Sequence, residues 1–494
     1  VNHFSITKTG APTAGVPLPL PIRYPLLATV VVIALALSIS ACGESSSASK
    51  PVQSVIQGHI TVDANVSGAT DFSGFEILVV RPDGRSLDTL GRAETARDGA
   101  YSAVVTAPER GIYPLVIRRR GNVLLRTDYV VADKDTASMN IAFPFTGNYV
   151  PIRSVENSAL VAYRNTMGLH RQRLMQRLQN DAYSENNVSM NVRQTSSILW
   201  GMRENYSGTY AAQIASVESL ALLESWNDSL VVVRAGQIEP ANPRFVTAGR
   251  IARRAEARRN GQEAAVKLLG DFKTRASTDE QRAALQAELV RTYIDSLQEE
   301  EALAAADDLA DEFDDSEWAD WADRARYEVE NLLPGKPAPD MDVRTVQGES
   351  LRLDDYEGYL VVLEFYHPSD DMYQRQIPTR NALYEATRTD SVAFISVSLE
   401  PDSLLNRAFF DGRTLPGKHV IAGDGGEDPI VESYNIGTVP TRYLIDRDGS
   451  IVDKYPGATF FSLQDAITER LSARPNRRIS PQTPSATSSP PASR

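Results

Sequence analysis

The sequence predicts a multidomain chain: an export signal, a small antiparallel β-sandwich, an α-helical middle region and a C-terminal α/β domain. Three observations carry this reading. Apolar and polar residues alternate at period two from Val55 to about Pro144, with turn residues at short intervals. From about Val155 to Leu333 the apolar spacing becomes helical. Beyond Pro334, strand-like runs alternate with helical ones, the pattern of a sheet covered by helices. A chain of 494 residues has room for two to four such domains. Its formal charge of −13 argues against a nucleic-acid partner, whose phosphates need a basic face.

The first element is the uncharged run Leu26–Ala41, preceded by Arg23 and followed by Cys42-Gly43. It suits the core of a signal peptide and is short for a membrane span. Ile39-Ser40-Ala41-Cys42 resembles the lipobox of bacterial lipoproteins, which implies cleavage before Cys42 and acylation of its thiol. An anchor that is never cut is the alternative, and it too exports the rest of the chain. Cys42 is the lone cysteine, so no internal disulfide and no thiolate metal cluster can form. The expected arrangement is a signal over 1–41, a polar tether over 42–54 and a membrane-anchored chain facing the periplasm. Gly43 does not resemble an inner-membrane retention signal, which favours the outer membrane.

Residues 55–146 form the sandwich. Ile56, Gly58, Ile60 and Val62 alternate with polar neighbours, Phe75–Val80 reads as a buried strand, and Asp98-Gly99 and Gly121-Asn122 mark turns. Residues 150–333 form the helical region. Thr278-Asp-Glu-Gln281 reads as a capping box opening a helix that runs towards Leu297, and Asn260-Gly261 ends the helix before it. Asp307, Asp311 and Asp315 recur at helical spacing without the alternating ligands and loop glycine of an EF-hand, so they read as a solvated face. Residues 475–494 are Pro, Ser, Thr and Arg with little apolar content, a composition expected to be disordered.

Residues 334–474 carry the strongest pattern. Pro334-Gly-Lys-Pro-Ala-Pro-Asp340 opens them, Leu360–Tyr366 is a central strand, Val392–Ser398 is another, and Val439-Pro440-Thr441 precedes Tyr443-Leu-Ile-Asp-Arg-Asp-Gly449. Together these resemble the thioredoxin-like family of TlpA-type thiol–disulfide interchange lipoproteins and the related alkyl hydroperoxide reductase/thiol-specific antioxidant (redoxin) proteins. The resemblance implies a thioredoxin-like fold and, in intact members, a Cys-x-x-Cys redox centre after the central strand. In this chain Asp370 stands at the attacking-cysteine position and Tyr373 at the resolving one. Disulfide exchange runs through a thiolate and a mixed disulfide, which a carboxylate and a phenol cannot provide. No redox site is therefore expected to be intact.

What the resemblance leaves at these positions is open to two readings each. Asp370, with Asp371, caps the following helix, or joins His367 in a metal site; the first is favoured and no metal or other cofactor is expected. Glu364 matches the buried acid that serves the thiols in relatives. Here it pairs with a base as a relic, or burial raises its pKa. Val439-Pro440 matches the family's cis-proline loop, beside which relatives dock a polypeptide. Tyr366, His367, Val439 and Pro440 then border a peptide-binding cleft beside Tyr373, or the tyrosines fill the gap left by the missing thiols and close it. The functional expectation is a redox-inactive envelope lipoprotein that binds a protein or peptide partner. The alternatives are a thiol–disulfide oxidoreductase, as the family implies, and a structural lipoprotein acting through its helical region.

Overall fold

The computed structural model describes residues 50–472, apart from positions 64, 65, 67, 69, 84, 85, 148, 181–183, 412 and 414. The signal, Cys42, most of the tether and the C-terminal tail lie outside the described residues.

The alternating segment folds as two facing four-stranded sheets. Its strands are β1 (Val52–Val62), β2 (Phe75–Asp83), β3 (Ser86–Glu94), β4 (Ala100–Ala107), β5 (Gly111–Arg119), β6 (Asn122–Val131), β7 (Thr136–Phe143) and β8 (Ile152–Arg153). One sheet has the order β4-β1-β7-β8 and the other β3-β2-β5-β6. Alternate residues such as Ile56, Ile60, Ile77, Val105, Leu115 and Met139 point inward and meet in one core. The sandwich is not purely antiparallel, because β1 and β7 pair in parallel. The chain crosses to the other sheet and back twice between them, a long-range connection that local alternation does not reveal. Gly58 permits that pairing: a Cβ there would lie 2.0 Å from the Met139 carbonyl oxygen.

The helical region comprises α1 (Val155–Gln179), α2 (Glu185–Asn205), α3 (Tyr210–Leu223), α4 (Asp228–Ala235), α5 (Phe245–Asn260), α6 (Gln262–Arg275), α7 (Asp279–Asp295), α8 (Glu299–Glu312) and α9 (Glu317–Asn331). Side-chain caps start most of them. Thr278 Oγ1 accepts the Gln281 N–H at 3.2 Å, and the Gln281 side chain accepts the Ser277 N–H at 2.9 Å. Gly261, at φ +89°, separates α5 from α6. Among the described residues no helix is long and apolar enough to cross a membrane.

The C-terminal domain begins with a hairpin, β9 (Asp342–Arg344) and β10 (Ser350–Arg352). It continues through β11 (Leu360–Tyr366), α10 (Asp371–Thr387), β12 (Val392–Ser398), α11 (Ser403–Phe410), β13 (Lys418–Ile421), α12 (Pro429–Ser433), β14 (Thr441–Ile445), β15 (Ile451–Pro456) and α13 (Phe460–Ser472). The sheet order is β13-β12-β11-β14-β15, parallel across β11–β12–β13 and antiparallel across β11–β14–β15. Every residue of β11 is buried, which is why it reads as an apolar run interrupted only by Glu364. Val361, Leu363 and Phe365 enter the core on one face, while Leu360 and Val362 enter the core beneath α13.

Side chains stitch the three regions together. Asn157 of α1 accepts the Val130 N–H of β6 at 3.1 Å. Tyr327 of α9 donates to the Ser433 carbonyl at 3.0 Å, and Lys454 of β15 pairs with Glu328 of α9 at 2.9 Å.

Candidate functional site

The loop from β11 into α10 is the place to look for chemistry. Side chains alternate along β11, so Glu364 and Tyr366 point to the same face, the one covered by α10. A carboxylate buried in such a strand is strongly destabilising without partners. Two buried arginines meet it. Arg442 lies opposite Glu364 in the β11–β14 register and donates Nε–H to Oε1 at 2.7 Å. Arg380, on α10, donates Nε–H to Oε2 at 2.8 Å. All three side chains are at most 1% exposed. Ser396 accepts from Arg380 and donates to Glu364, and Gln376 accepts from Arg442.

The charge balance decides the state of Glu364. Burial alone pushes its carboxyl up, but Arg442 and Arg380 outweigh burial and hold it at about 2. Glu364 is thus an ionised partner of two bases. The alternative of a raised pKa is corrected, since it would need an acid buried without cations. Sequence reasoning does not single out Arg380 or Arg442. The available clue is an arginine inside the otherwise apolar strand Thr441–Ile445.

Asp370 is the N-cap of α10: its Oδ1 accepts the Tyr373 N–H at 2.7 Å. Asp371 follows in the exposed first turn. The His367 ring has other partners. Its Nδ1 faces Ser369 Oγ at 2.8 Å, and its Nε2 faces Glu400 Oε2 at 3.3 Å. His367, Asp370 and Asp371 do not converge, and among the described residues no group of three or more His, Cys, Asp or Glu side chains is placed to hold a metal.

The tyrosines close the cleft. Tyr366 and Tyr373 are both fully buried, their rings stacked with centroids 4.2 Å apart and planes 19° apart. Phe409 of α11 packs against both rings, at 5.8 and 6.3 Å. The expectation that Tyr366 borders an open peptide cleft beside Tyr373 is corrected here: the space is filled by aromatic rings. Burial pushes both phenols far above their ordinary range. The Val439-Pro440 bond is cis. Val439 is half-buried against the sheet core and Pro440 is buried, with its carbonyl accepting the Gly457 N–H at 2.7 Å.

Against this geometry, residues 334–454 match the AhpC/TSA family. Over 128 residues the chain is 30% identical to the thiol-disulfide oxidoreductase ResA of a Bacillus cereus strain, covering 26% of this chain and 72% of that protein. The chain belongs to the AhpC/TSA family. A second relative, ResA of Geobacillus kaustophilus, is 31% identical over 119 residues, covering 24% of this chain and 66% of the relative. A solution structure of a thiol:disulfide interchange protein from Bacteroides sp. aligns at 21% identity and a TM-score of 0.27, covering 30% of this chain and 96% of that one. The single cysteine of this chain, Cys42, precedes the matched region by some 290 residues, and no Cys-x-x-Cys is present. Without a thiolate in the domain, disulfide exchange has no nucleophile.

Proposed function

We propose that the chain is a redox-inactive envelope lipoprotein that holds a thioredoxin-like domain as a binding scaffold for a protein partner. The observation that supports it best is the stack of Tyr366 on Tyr373. Packed rings stand where the resemblance puts the resolving thiol, so the domain keeps its fold while the redox position has become core. Anchoring rests on Cys42 and the run before it, with the chain facing the periplasm from the outer membrane. With the tyrosines inside, partner contacts fall to surfaces outside the former redox cleft.

The helical region is the stronger of these surfaces. Its α9 is joined to the C-terminal domain through Tyr327–Ser433, Asn435–Arg324 and Lys454–Glu328, and its α1 is joined to the sandwich through Asn157–Val130. A partner docked on the helices is therefore held in a fixed relation to the sandwich and to the C-terminal domain.

The test is chemical crosslinking of the full chain in intact envelopes. The reading expects one protein to be recovered reproducibly, with its crosslinks on residues 155–331, and expects Asp370→Lys to leave that recovery unchanged. Crosslinks confined to the β11–α10 loop, or no reproducible partner, would contradict it. Cys42→Ala is expected to move the protein from the membrane to the soluble fraction, because stable anchoring depends on the acyl chains.

A further inference from the structure

The β11–α10 loop carries a second arrangement that partner binding does not use. Three side chains from two neighbouring strand ends lie in line, Ser369 hydrogen-bonded to His367 and Glu400 within charge-pairing distance of the far side of the ring. Parallel pairing of β11 with β12 sets Tyr366 opposite Ser398, and the Leu399 N–H donates to the Tyr366 carbonyl at 2.8 Å. That register brings Glu400 alongside His367, with Glu400 Oε2 at 3.3 Å from His367 Nε2. On the other side of the ring, Ser369 Oγ lies 2.8 Å from Nδ1.

The tautomer follows from a third contact. The Ser369 backbone N–H donates to His367 Nδ1 at 3.3 Å. A backbone amide can only donate, so Nδ1 carries a lone pair and the neutral ring bears its proton on Nε2, facing Glu400. Glu400 is held in place in turn, because its Oε1 accepts the Asp402 N–H at 2.9 Å. Exposure falls along the chain of three: Ser369 is exposed, His367 is 35% exposed and Glu400 is 12% exposed. An accessible hydroxyl, a base whose accepting nitrogen faces it and a carboxylate beside the ring's other nitrogen are the parts of an activated nucleophile.

We propose that Ser369, His367 and Glu400 form a nucleophile–base–acid relay that accepts the acyl group of a small neutral ester. Ser369 Oγ attacks the acyl carbon as its proton passes to His367 Nδ1. The bond from the acyl carbon to the leaving oxygen breaks, and His367 returns the proton to the departing alcohol. Water then attacks the acyl-serine, giving its proton to His367; the acyl–Oγ bond breaks, His367 returns the proton to Ser369 Oγ, and the carboxylic acid leaves. The N–H groups of Asp371 and Met372, which open α10 without an intrahelical acceptor, are assigned to the developing oxyanion. The carboxylates of Asp370 and Asp371 disfavour anionic substrates and weaken that stabilisation, so turnover is slow. Leu404 and Leu405 on α11, 68% and 55% exposed and just beyond Glu400, offer an apolar seat for the acyl group.

The experiment treats the full chain with a fluorophosphonate and locates the adduct by peptide mass spectrometry, alongside hydrolysis of p-nitrophenyl acetate. The adduct is expected on Ser369, and Ser369→Ala and His367→Ala are each expected to lower hydrolysis by about 100-fold, the scale of general-base assistance. Glu400 acts by positioning the ring and stabilising the imidazolium. Glu400→Gln is therefore expected to lower kcat for p-nitrophenyl acetate with KM unchanged, whereas a purely structural Glu400 would leave kcat in place. An adduct elsewhere, no adduct, or hydrolysis by Ser369→Ala at the unsubstituted rate would overturn the relay. None of these readouts depends on a protein partner, so this inference and the scaffold reading stand or fall separately.

Discussion

The Tyr373 ring, from the first turn of α10, lies 4.2 Å from the Tyr366 ring at the end of β11, and neither is exposed. The two elements that cradle a redox centre in the resembling family are here joined by an aromatic contact. Tyr373→Ala is therefore expected to destabilise the protein by about 3–5 kcal/mol in urea unfolding, the scale of an aromatic truncation in a core. The Tyr373 hydroxyl has no hydrogen-bond partner among the described residues. Tyr373→Phe removes that unpaired group and is expected to leave stability unchanged or raise it by about 1 kcal/mol. Equal, small effects of both substitutions would mean that the ring is not packed as described.

The Asp370 carboxylate caps α10 through the Tyr373 N–H. Asp370→Ala is expected to cost about 1 kcal/mol, and Asp370→Asn or Asp370→Ser much less, because each retains an accepting oxygen at the cap. Thermal unfolding of the three variants would read the difference. A loss in the asparagine variant as large as in the alanine variant would point to the charge rather than to the cap.

Glu364 links protonation to stability. Its folded-state pKa of about 2 lies below the ordinary value of 4.5. A depressed value means that the stabilisation is present above pH 4.5 and is lost as the pH falls through 2. Unfolding free energy measured from about pH 6 to about pH 2 should thus carry an acid limb that Glu364→Gln reduces. That substitution also leaves two buried guanidiniums without their counter-charge, at a cost of about 3–5 kcal/mol near neutral pH. An acid limb of the same size in the glutamine variant would assign it to other carboxylates.

Much of this domain is written in short-range signals. The apolar run Leu360–Tyr366 specifies a strand buried on both faces, and an aspartate ahead of a helical stretch specifies a cap. Gly261 marks the break between α5 and α6 because only glycine is at ease at its positive φ. The partners of Glu364 are beyond such signals. Arg380 is 16 residues away and Arg442 is 78 residues away, and only the sheet register brings Arg442 opposite the acid. The same holds for the tyrosines. Tyr366 and Tyr373 suit an open aromatic cleft or a closed stack equally well in sequence, and Phe409, arriving on α11, completes the closed one. The parallel pairing of β1 with β7 is likewise set by a crossing between sheets that no local pattern encodes.

The central claim is that the former redox position is filled and inert. Insulin reduction by dithiothreitol, followed by turbidity with the full chain present at micromolar concentration, tests it most directly, with Cys42→Ser as the thiol-free control. Both proteins are predicted to give the time course of buffer alone, because the domain holds no thiolate to attack a disulfide. Earlier or faster precipitation in the presence of the thiol-free protein would contradict the account.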